Sequence, residues 1–182
     1  MTRQIVILSY LEKLTEFTSG KAVSDLKLNF EKLTDSEELS NEEYALLLIS
    51  LGRTLKFESL EIVAQELAIQ SQISNDIINE AKQIPAIMGM LNTYYKFRFF
   101  VEKNDENAAK EYGIPSLRMN SLAKPLMPKE TFELISIAVS ILNSCEKCVI
   151  AHEKALMDLK VSRTKIHDVM RIAAVAKGLN VL

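Results

Sequence analysis

The sequence predicts an all-α protein, and two observations support this fold class. Apolar residues recur at helical spacing (i, i+3, i+4 and i+7) through long segments such as 42–55, 131–142 and 166–179. The chain has five glycines and four prolines in 182 residues, and it lacks the Asn-Gly and Asp-Gly pairs that mark β-hairpins. We therefore expect roughly ten helices or helical pieces.

Glycine, proline and capping residues predict where these helices begin and end. We expect Gly20 to end the first helix and Ser40 to cap another helix, whose first turn holds Glu43. Pro85 fits the first turn of a helix that begins one residue earlier. A looser connection is expected over residues 104–129, which contain a glycine and three prolines.

The composition limits the classes of function. Apolar residues make up 48% of the chain, charged residues make up 25%, and the net charge is −2. These values are ordinary for a globular protein, and no basic surface that would bind nucleic acid is indicated. The chain has no apolar run of about 18 residues and no signal-peptide pattern, so we expect a cytoplasmic protein without a membrane partner.

The chain contains two similar segments, which lie 88 residues apart. Segment 42–92 aligns with segment 130–180 without a gap, and eleven of the 51 positions are identical. Chance matching would give about 6% identity for a composition of this kind. We expect two copies of one helical unit within a single domain that spans residues 1–182.

The two copies differ where chemistry would occur. Four residues with reactive or ionisable side chains in the second copy align with apolar residues of the first: Glu133 with Ala45, Cys145 with Phe57, Cys148 with Leu60, and His152 with Ala64. We expect the first copy to be a scaffold and the second copy to carry a site. The apolar counterparts indicate that the site positions point inward.

The only two cysteines, Cys145 and Cys148, lie three residues apart, and His152 follows the second by four. Asn143 or Ser144 is expected to cap the helix that holds them, with Cys145 in its first turn and Cys148 in its second. Residues three apart share a helix face, with Cβ atoms about 5–6 Å apart. A disulfide between the two thiols can therefore close after a modest adjustment.

The spacing also assigns roles to these residues. His152 is one turn from Cys148 but two turns from Cys145, so we expect His152 to be the base that activates Cys148. Cys148 is then the attacking thiolate, and Cys145 is the resolving thiol. Glu133, near the start of the preceding helix, is the best candidate to orient His152. Lys147, between the cysteines, can lower the pKa of a thiol by its charge.

Each assignment has a structural alternative. The cysteines can be buried core thiols, His152 can be a capped or surface histidine, and Glu133 and Lys147 can be solvated charges. A zinc site needs about four ligands. The motif supplies two cysteines and one histidine, and His167 lies 15 residues further along. We expect no metal and no tightly bound cofactor, and we interpret His167 as structural or exposed.

Three stretches of the chain carry a resemblance to a known family: residues 88–102, residues 113–156 and the helical tail that follows. The CxxCxxxH core is common to the broad carboxymuconolactone decarboxylase-like group, whereas "NTYYKFRF" and "LRMNSLAKP" are more specific. With these stretches the chain resembles the AhpD family of alkyl hydroperoxide reductases over nearly its whole length. The resemblance implies an all-α fold from a duplicated helical unit, with the site in the second copy.

The resemblance implies an antioxidant function. Members of such a family are thiol peroxidases and disulfide reductases, which reduce alkyl hydroperoxides and regenerate an AhpC-type peroxiredoxin. The electrons would come from dihydrolipoamide on the lipoylated acyltransferase of a dehydrogenase complex. The resemblance also implies a homo-oligomer, with a trimer favoured. The apolar stretches 44–51 and 134–142 would then serve either the core or an interface.

The resemblance also assigns a relay of site residues. The family's glutamate and two cysteines fall on Glu133, Cys145 and Cys148, and its second histidine falls on His152. The family's histidine between the cysteines is replaced here by Lys147. Lysine supplies charge but is a poor proton shuttle near neutral pH, so we expect the rate or the pH optimum to be affected.

Two other classes of function stay open. A carboxymuconolactone-type decarboxylase would share the fold group but would not need a redox CxxC pair. A non-enzymatic helical interaction protein would show no fast-reacting thiol and no turnover that depends on a dithiol.

Overall fold

The computed structural model describes residues 2–182, which form ten helices and no β-strand. The all-α prediction is therefore confirmed. Over the same residues, no helix combines the length and the apolar character that crossing a membrane requires. In chain order the helices are α1 (Arg3–Leu14), α2 (Lys21–Thr34), α3 (Asn41–Leu55), α4 (Glu58–Gln70), α5 (Asn75–Asn104), α6 (Ala108–Glu111), α7 (Asn120–Ala123), α8 (Lys129–Leu142), α9 (Glu146–Asp158) and α10 (Arg163–Leu179).

Of the two helix boundaries predicted at Gly20 and Ser40, one is confirmed and one is wrong. Ser40 caps α3 as expected: its hydroxyl accepts from the Glu43 N–H at 3.1 Å, and the Glu43 carboxylate accepts from the Ser40 N–H at 2.9 Å. The prediction for Gly20 is wrong, because α1 ends before it and Gly20 is the N-cap residue of α2. The Thr15 hydroxyl bonds the Leu11 carbonyl at 2.8 Å and satisfies the end of α1 there.

Pro85 lies inside α5, so the predicted helix start at this point is wrong. A proline within a helix leaves the carbonyl four residues earlier without its usual N–H partner. That carbonyl belongs to Ala81, and the buried Ser50 hydroxyl of α3 donates to it at 2.7 Å. Since this contact replaces the missing bond, α5 continues through the proline to a length of 30 residues.

The joint between α8 and α9 also differs from the prediction. Ser144 has a left-handed backbone with φ of 57°, and the Cys145 N–H bonds back to the Ser140 carbonyl at 3.0 Å. This is the Schellman arrangement that ends a helix. Because Ser144 belongs to the end of α8, Cys145 is the N-cap residue of α9 in place of Asn143 or Ser144. Cys148 consequently lies in the first turn of α9, not in the second.

The helices that follow residue 40 repeat at a spacing of 88 residues. Helices α3, α4 and α5 begin at residues 41, 58 and 75, and helices α8, α9 and α10 begin at residues 129, 146 and 163. The left-handed residues Lys56 and Gln72 correspond to Ser144 and Lys160 at the same spacing. Matching helix starts and turns are what a duplicated unit requires. The duplication itself, and the extent of the single domain, stay predictions.

The hydrophobic core lies around α3 and α8, which pack against each other. Residues 44–51 of α3 and residues 134–140 of α8 are all buried, so these parts of the two apolar stretches serve the core. The second stretch ends at Ile141 and Leu142, of which Ile141 is 46% exposed. Helix α5 packs on α3, α8 and α9, and helix α10 packs on α2, α3 and α8. Each fully buried leucine or isoleucine stabilises the fold by about 1.5–3 kcal/mol. One of these two central helices, α8, is the buried helix on which α9 packs.

Gly52 lies where α3 and α4 come close together. A Cβ atom at this position would be 2.8 Å from the backbone nitrogen of Glu61. Gly52→Ala must push the helices apart, so we expect urea unfolding to show a loss of about 1–3 kcal/mol in the free energy of unfolding. Gly89→Ala in α5 is the matched control, because a Cβ atom there meets nothing within 4 Å. For that control we expect a gain of about 0.5–1 kcal/mol; equal effects in the two variants would contradict the close approach.

Candidate active site

The two cysteines are bonded to each other at the start of α9. Their Sγ atoms form a disulfide, and the Cα atoms of Cys145 and Cys148 are 5.3 Å apart. Both residues are buried, with 1% of Cys145 and 7% of Cys148 exposed. The predicted disulfide is thus present. It joins Cys145, the N-cap residue of α9, to Cys148 in the first turn.

The N-terminus of α9 favours negative charge at the second cysteine. The first N–H groups of a helix lack partners within the helix and carry partial positive charge. Cys148 is the third residue of α9 and so belongs to the turn that carries these groups. A helix N-terminus stabilises the thiolate form of a cysteine, which is the nucleophilic form.

A histidine–glutamate pair joins α9 to α8. The Nδ1 atom of His152 lies 2.7 Å from Oε2 of Glu133, and the two side chains are 18% and 14% exposed. When Nδ1–H donates to the carboxylate, Nε2 is left free to accept a proton. The pair therefore has the chemistry of an oriented general base.

A cavity of about 430 Å³ brings the thiol and this base together. Among the described residues of the cavity wall, Cys148 is present and Cys145 is not. The wall is formed by Met88, Leu91, Asn92, Tyr95, Met119, Leu122, Phe132, Glu133, Lys147, Cys148, Ala151 and His152. A larger open depression of about 870 Å³, bordered by α1 and α3, has no cysteine or histidine among its described wall residues. The smaller cavity is therefore the candidate active site, because Cys148 and His152 lie in its wall.

A buried asparagine ties α5 to the joint between α8 and α9. Asn92 is 1% exposed and lines the cavity. Its Nδ2 donates to Ser140 Oγ at 3.0 Å, and its Oδ1 accepts from Asn143 Nδ2 at 2.9 Å. Lys96, one turn further along α5, donates to the Asn143 carbonyl at 3.0 Å. These bonds hold the residues that directly precede Cys145.

Lys147 also lines the cavity, with a carboxylate beside it. Its Nζ forms an ion pair with Glu102 of α5 and lies 5.4 Å from the centre of the Phe99 ring. The relay or electrostatic role of Lys147 stays a prediction. The second histidine of the chain, His167, is an exposed residue of α10.

The sequence of this chain is similar to a known protein family and to several named proteins. Residues 113–182 match the carboxymuconolactone decarboxylase family. The alkyl hydroperoxide reductase AhpD of Mycobacterium bovis (strain BCG / Pasteur 1173P2) is 35% identical over 156 residues, which cover 85% of this chain and 84% of that protein. The chain belongs to the AhpD family. An AhpD of Mycolicibacterium smegmatis is likewise 35% identical over 156 residues, and an AhpD of Coxiella burnetii (strain Dugway 5J108-111) is 31% identical over 94% of this chain and 93% of its own length.

Membership of the AhpD family confirms the resemblance that the sequence motifs indicated. Every predicted site residue lies within the segment that matches the carboxymuconolactone decarboxylase family. In the structure, Cys145 and Cys148 form a disulfide, and Glu133 and His152 form a hydrogen bond. Lys147 lies in the same cavity wall. The roles assigned to these residues stay predictions.

Sequence reasoning missed the contribution of α5 to the site. Asn92 contacts the α8–α9 joint, and Phe99 and Glu102 contact Lys147. A signal existed for Asn92, since the repeat aligns it with Asn180, whose Nδ2 bonds the last carbonyl of α3 at 3.1 Å. No such signal pairs Glu102 with Lys147, which lie 45 residues apart.

Replacing Asn92 tests whether it holds the joint. Asn92→Leu keeps a similar volume but leaves the side chains of Ser140 and Asn143 without their partner. A buried polar group that loses its bond costs about 1–3 kcal/mol, so urea unfolding should show a loss of about 2–4 kcal/mol in the free energy of unfolding. We also expect dithiothreitol to reduce the disulfide faster. Thr93→Ala, at the exposed neighbouring position, is the control, and an equal loss in both variants would remove the assigned role.

Proposed function

We propose that this chain is an antioxidant thiol peroxidase and disulfide reductase, which reduces alkyl hydroperoxides with its CxxC pair. The AhpD relatives carry the name alkyl hydroperoxide reductase. One observation carries the proposal: the disulfide-bonded Cys148 shares an apolar cavity with His152, whose Nδ1 is bonded to Glu133. A reactive thiol, a second thiol and an oriented base are the groups that such a reaction needs.

The first step is the attack of Cys148 on the peroxide. In the reduced pair, the Cys148 thiol gives its proton to Nε2 of His152, and the Glu133 carboxylate stabilises the imidazolium that forms. The thiolate attacks the distal oxygen of the hydroperoxide, the O–O bond breaks, and the imidazolium proton passes to the leaving alkoxide. The products are an alcohol and the sulfenic acid of Cys148.

The second step closes the disulfide. The Cys145 thiol attacks the sulfur of the Cys148 sulfenic acid, water leaves, and the S–S bond forms. The Cα separation of 5.3 Å already lies in the range that disulfides adopt. Cys145 is 1% exposed, which supports a resolving role, because its sulfur meets Cys148 and is shielded from solvent.

A dithiol donor completes the cycle. Dihydrolipoamide reopens the disulfide by thiol–disulfide exchange through a mixed disulfide, which leaves lipoamide and the reduced pair. We propose that the lipoylated acyltransferase of a dehydrogenase complex carries this donor. By the same exchange, the reduced pair would regenerate an oxidised AhpC-type peroxiredoxin. Cys148 is the sulfur that an incoming thiol reaches, because it is the cysteine at the cavity.

The cavity favours organic hydroperoxides. Apolar walls bind an alkyl or aryl group by removing its surface from water. We propose that this group rests on the apolar side chains of the wall while the O–O bond faces Cys148. Those side chains are Met88, Leu91, Met119, Leu122 and Phe132.

The two other classes of function make different predictions. A carboxymuconolactone-type decarboxylase would not depend on paired thiols, so the Cys145–Cys148 disulfide favours the redox reaction. A non-enzymatic interaction protein would leave peroxide unconsumed in the presence of dihydrolipoamide. Peroxide consumption that requires both cysteines would therefore exclude both classes.

We also propose that the chain forms a homo-oligomer, with a trimer favoured, and acts in the cytoplasm. Exposed apolar side chains are available to an interface; examples are Phe100, Ile114 and Leu126, which are 64%, 82% and 65% exposed. A reducing compartment suits a disulfide that must be reopened in every cycle. Sedimentation equilibrium would measure the mass of the assembly.

The assignment of the two thiols can be tested by replacing each one with serine. We expect Cys148→Ser to abolish the turnover of cumene hydroperoxide with dihydrolipoamide in a stopped-flow assay, since the attacking sulfur is gone. Cys145→Ser should consume peroxide once and stop at the sulfenic acid. Thiol counting on the unaltered chain should show that both thiols are lost after peroxide. Retained turnover in Cys148→Ser would reverse the assignment.

The role of Glu133 can be tested with an isosteric amide. Glu133→Gln should lower kcat/KM by about 10²-fold, because an amide stabilises the imidazolium far less than a carboxylate does. Steady-state assays with cumene hydroperoxide over a range of pH would measure this change. Glu130→Gln is the matched control on the same helix, since Glu130 pairs with Lys165 outside the cavity. If both variants lost activity equally, the effect would belong to the helix and not to the pair with His152.

A further inference from the structure

The two residues between the cysteines both reach across to α5. Lys147 forms an ion pair with Glu102, and an oxygen of Glu146 lies 3.9 Å from Nζ of Lys103. The Phe99 ring lies close to both ammonium groups, with its centre 5.4 Å from that of Lys147 and 4.1 Å from that of Lys103. Two neighbouring residues of α5 therefore pair with two neighbouring residues of α9, and in each pair a glutamate faces a lysine.

The two ion pairs differ in their relation to the cavity. Lys147 lines the cavity, and the side chains of Lys147 and Glu102 are 41% and 26% exposed. The side chains of Lys103 and Glu146 are each 62% exposed, so solvent and salt weaken that pair more strongly. The pair of Lys147 with Glu102 is therefore the one whose charges act on the cavity.

Several charged groups surround Cys148. From the helices that pack around it, they are Glu133 of α8, Glu146, Lys147 and His152 of α9, and Lys96, Glu102 and Lys103 of α5. The segment around α7 adds the apolar Met119 and Leu122. Within the described wall of the cavity, Lys147 is the residue with a permanent positive charge. Its pairing therefore adjusts the positive potential that the N-terminus of α9 already provides at the Cys148 sulfur.

We propose that Glu102 is a positioning residue that sets the reactivity of Cys148 by offsetting the charge of Lys147. A cation near a thiol stabilises the thiolate, whereas an ion pair presents little net charge. Glu102 and Phe99 thus hold the lysine beside the cavity while its electrostatic effect on the sulfur is reduced. The inference rests on the proposed function, because it describes a control on the same thiol.

Removing each charge should shift the ionisation of the thiol in opposite directions. Glu102→Gln leaves the Lys147 charge unpaired and should lower the pH midpoint of Cys148 alkylation by about half a unit to one unit. The thiolate fraction near neutral pH then rises about 3–10-fold. Lys147→Met leaves the Glu102 carboxylate unpaired and should raise the midpoint by a similar amount. The double variant lacks both charges and should return close to the unaltered value.

The experiment uses the full chain with Cys145→Ser, in which Cys148 is the one remaining cysteine of the sequence. The rate of alkylation by iodoacetamide is measured across the pH range of thiol ionisation, at low and at high salt. Lys154→Met and Asp158→Asn are matched controls, since they break an exposed ion pair on the same helix. We expect the controls to leave the midpoint unchanged. Circular dichroism and urea unfolding establish that each variant is folded.

The sign of the shifts decides the inference. Opposite shifts that cancel in the double variant support it, whereas shifts of the same sign, or no shift, overturn it in favour of a purely structural pair. If Lys147→Met does not fold, the sign of the Glu102→Gln shift decides by itself. Turnover of cumene hydroperoxide with dihydrolipoamide is measured in parallel on the unaltered chain. Absent turnover with the expected shifts would overturn the proposed function alone, and turnover with the wrong shifts would overturn this inference alone.

Discussion

The turn that joins α8 to α9 is the constraint on which the candidate site depends. Ser144 takes a left-handed conformation and the Cys145 N–H bonds back to the Ser140 carbonyl, so α9 returns along α8. That return brings Glu133, near the start of α8, to 2.7 Å from His152 in the middle of α9. It also places both cysteines at a helix N-terminus, where a thiolate is stabilised. The contact between Glu133 and His152 and the position of the cysteine pair at a helix N-terminus are therefore consequences of one short turn.

Helix α5 forms the opposite wall of the site, and a hydroxyl group of α3 compensates for the proline inside it. Ser50 donates to the carbonyl that Pro85 leaves without a partner, so the helix continues through the proline. The part beyond Pro85 carries Asn92, which bonds the α8–α9 joint, and Glu102, which pairs with Lys147. A helix that ended at the proline would leave the joint and the cavity without this wall. Buried polar contacts in the core thus support the wall of the candidate site.

The same turn occurs in both halves of the chain, but it carries reactive side chains in one. Between α3 and α4, Lys56 is left-handed and the Phe57 N–H bonds the Gly52 carbonyl at 2.8 Å. Phe57 occupies the position that corresponds to Cys145, and it is 7% exposed in the core. The repeated geometry provides a buried helix N-terminus twice. The side chain at that position differs: Phe57 packs in the core, whereas Cys145 forms a disulfide with Cys148.

The sequence by itself determined the all-α class, the start of α3 at Ser40 and the location of the reactive residues in the second half. These features depend on apolar spacing, capping chemistry and side-chain type, all of which are local. The tertiary structure alone decided that α5 continues through Pro85, that Asn92 bonds the α8–α9 joint, and that Glu102 pairs with Lys147. Each of these depends on contacts between residues far apart in the chain. Local periodicity carries no information about which distant side chains will meet, because that is set by how the helices pack.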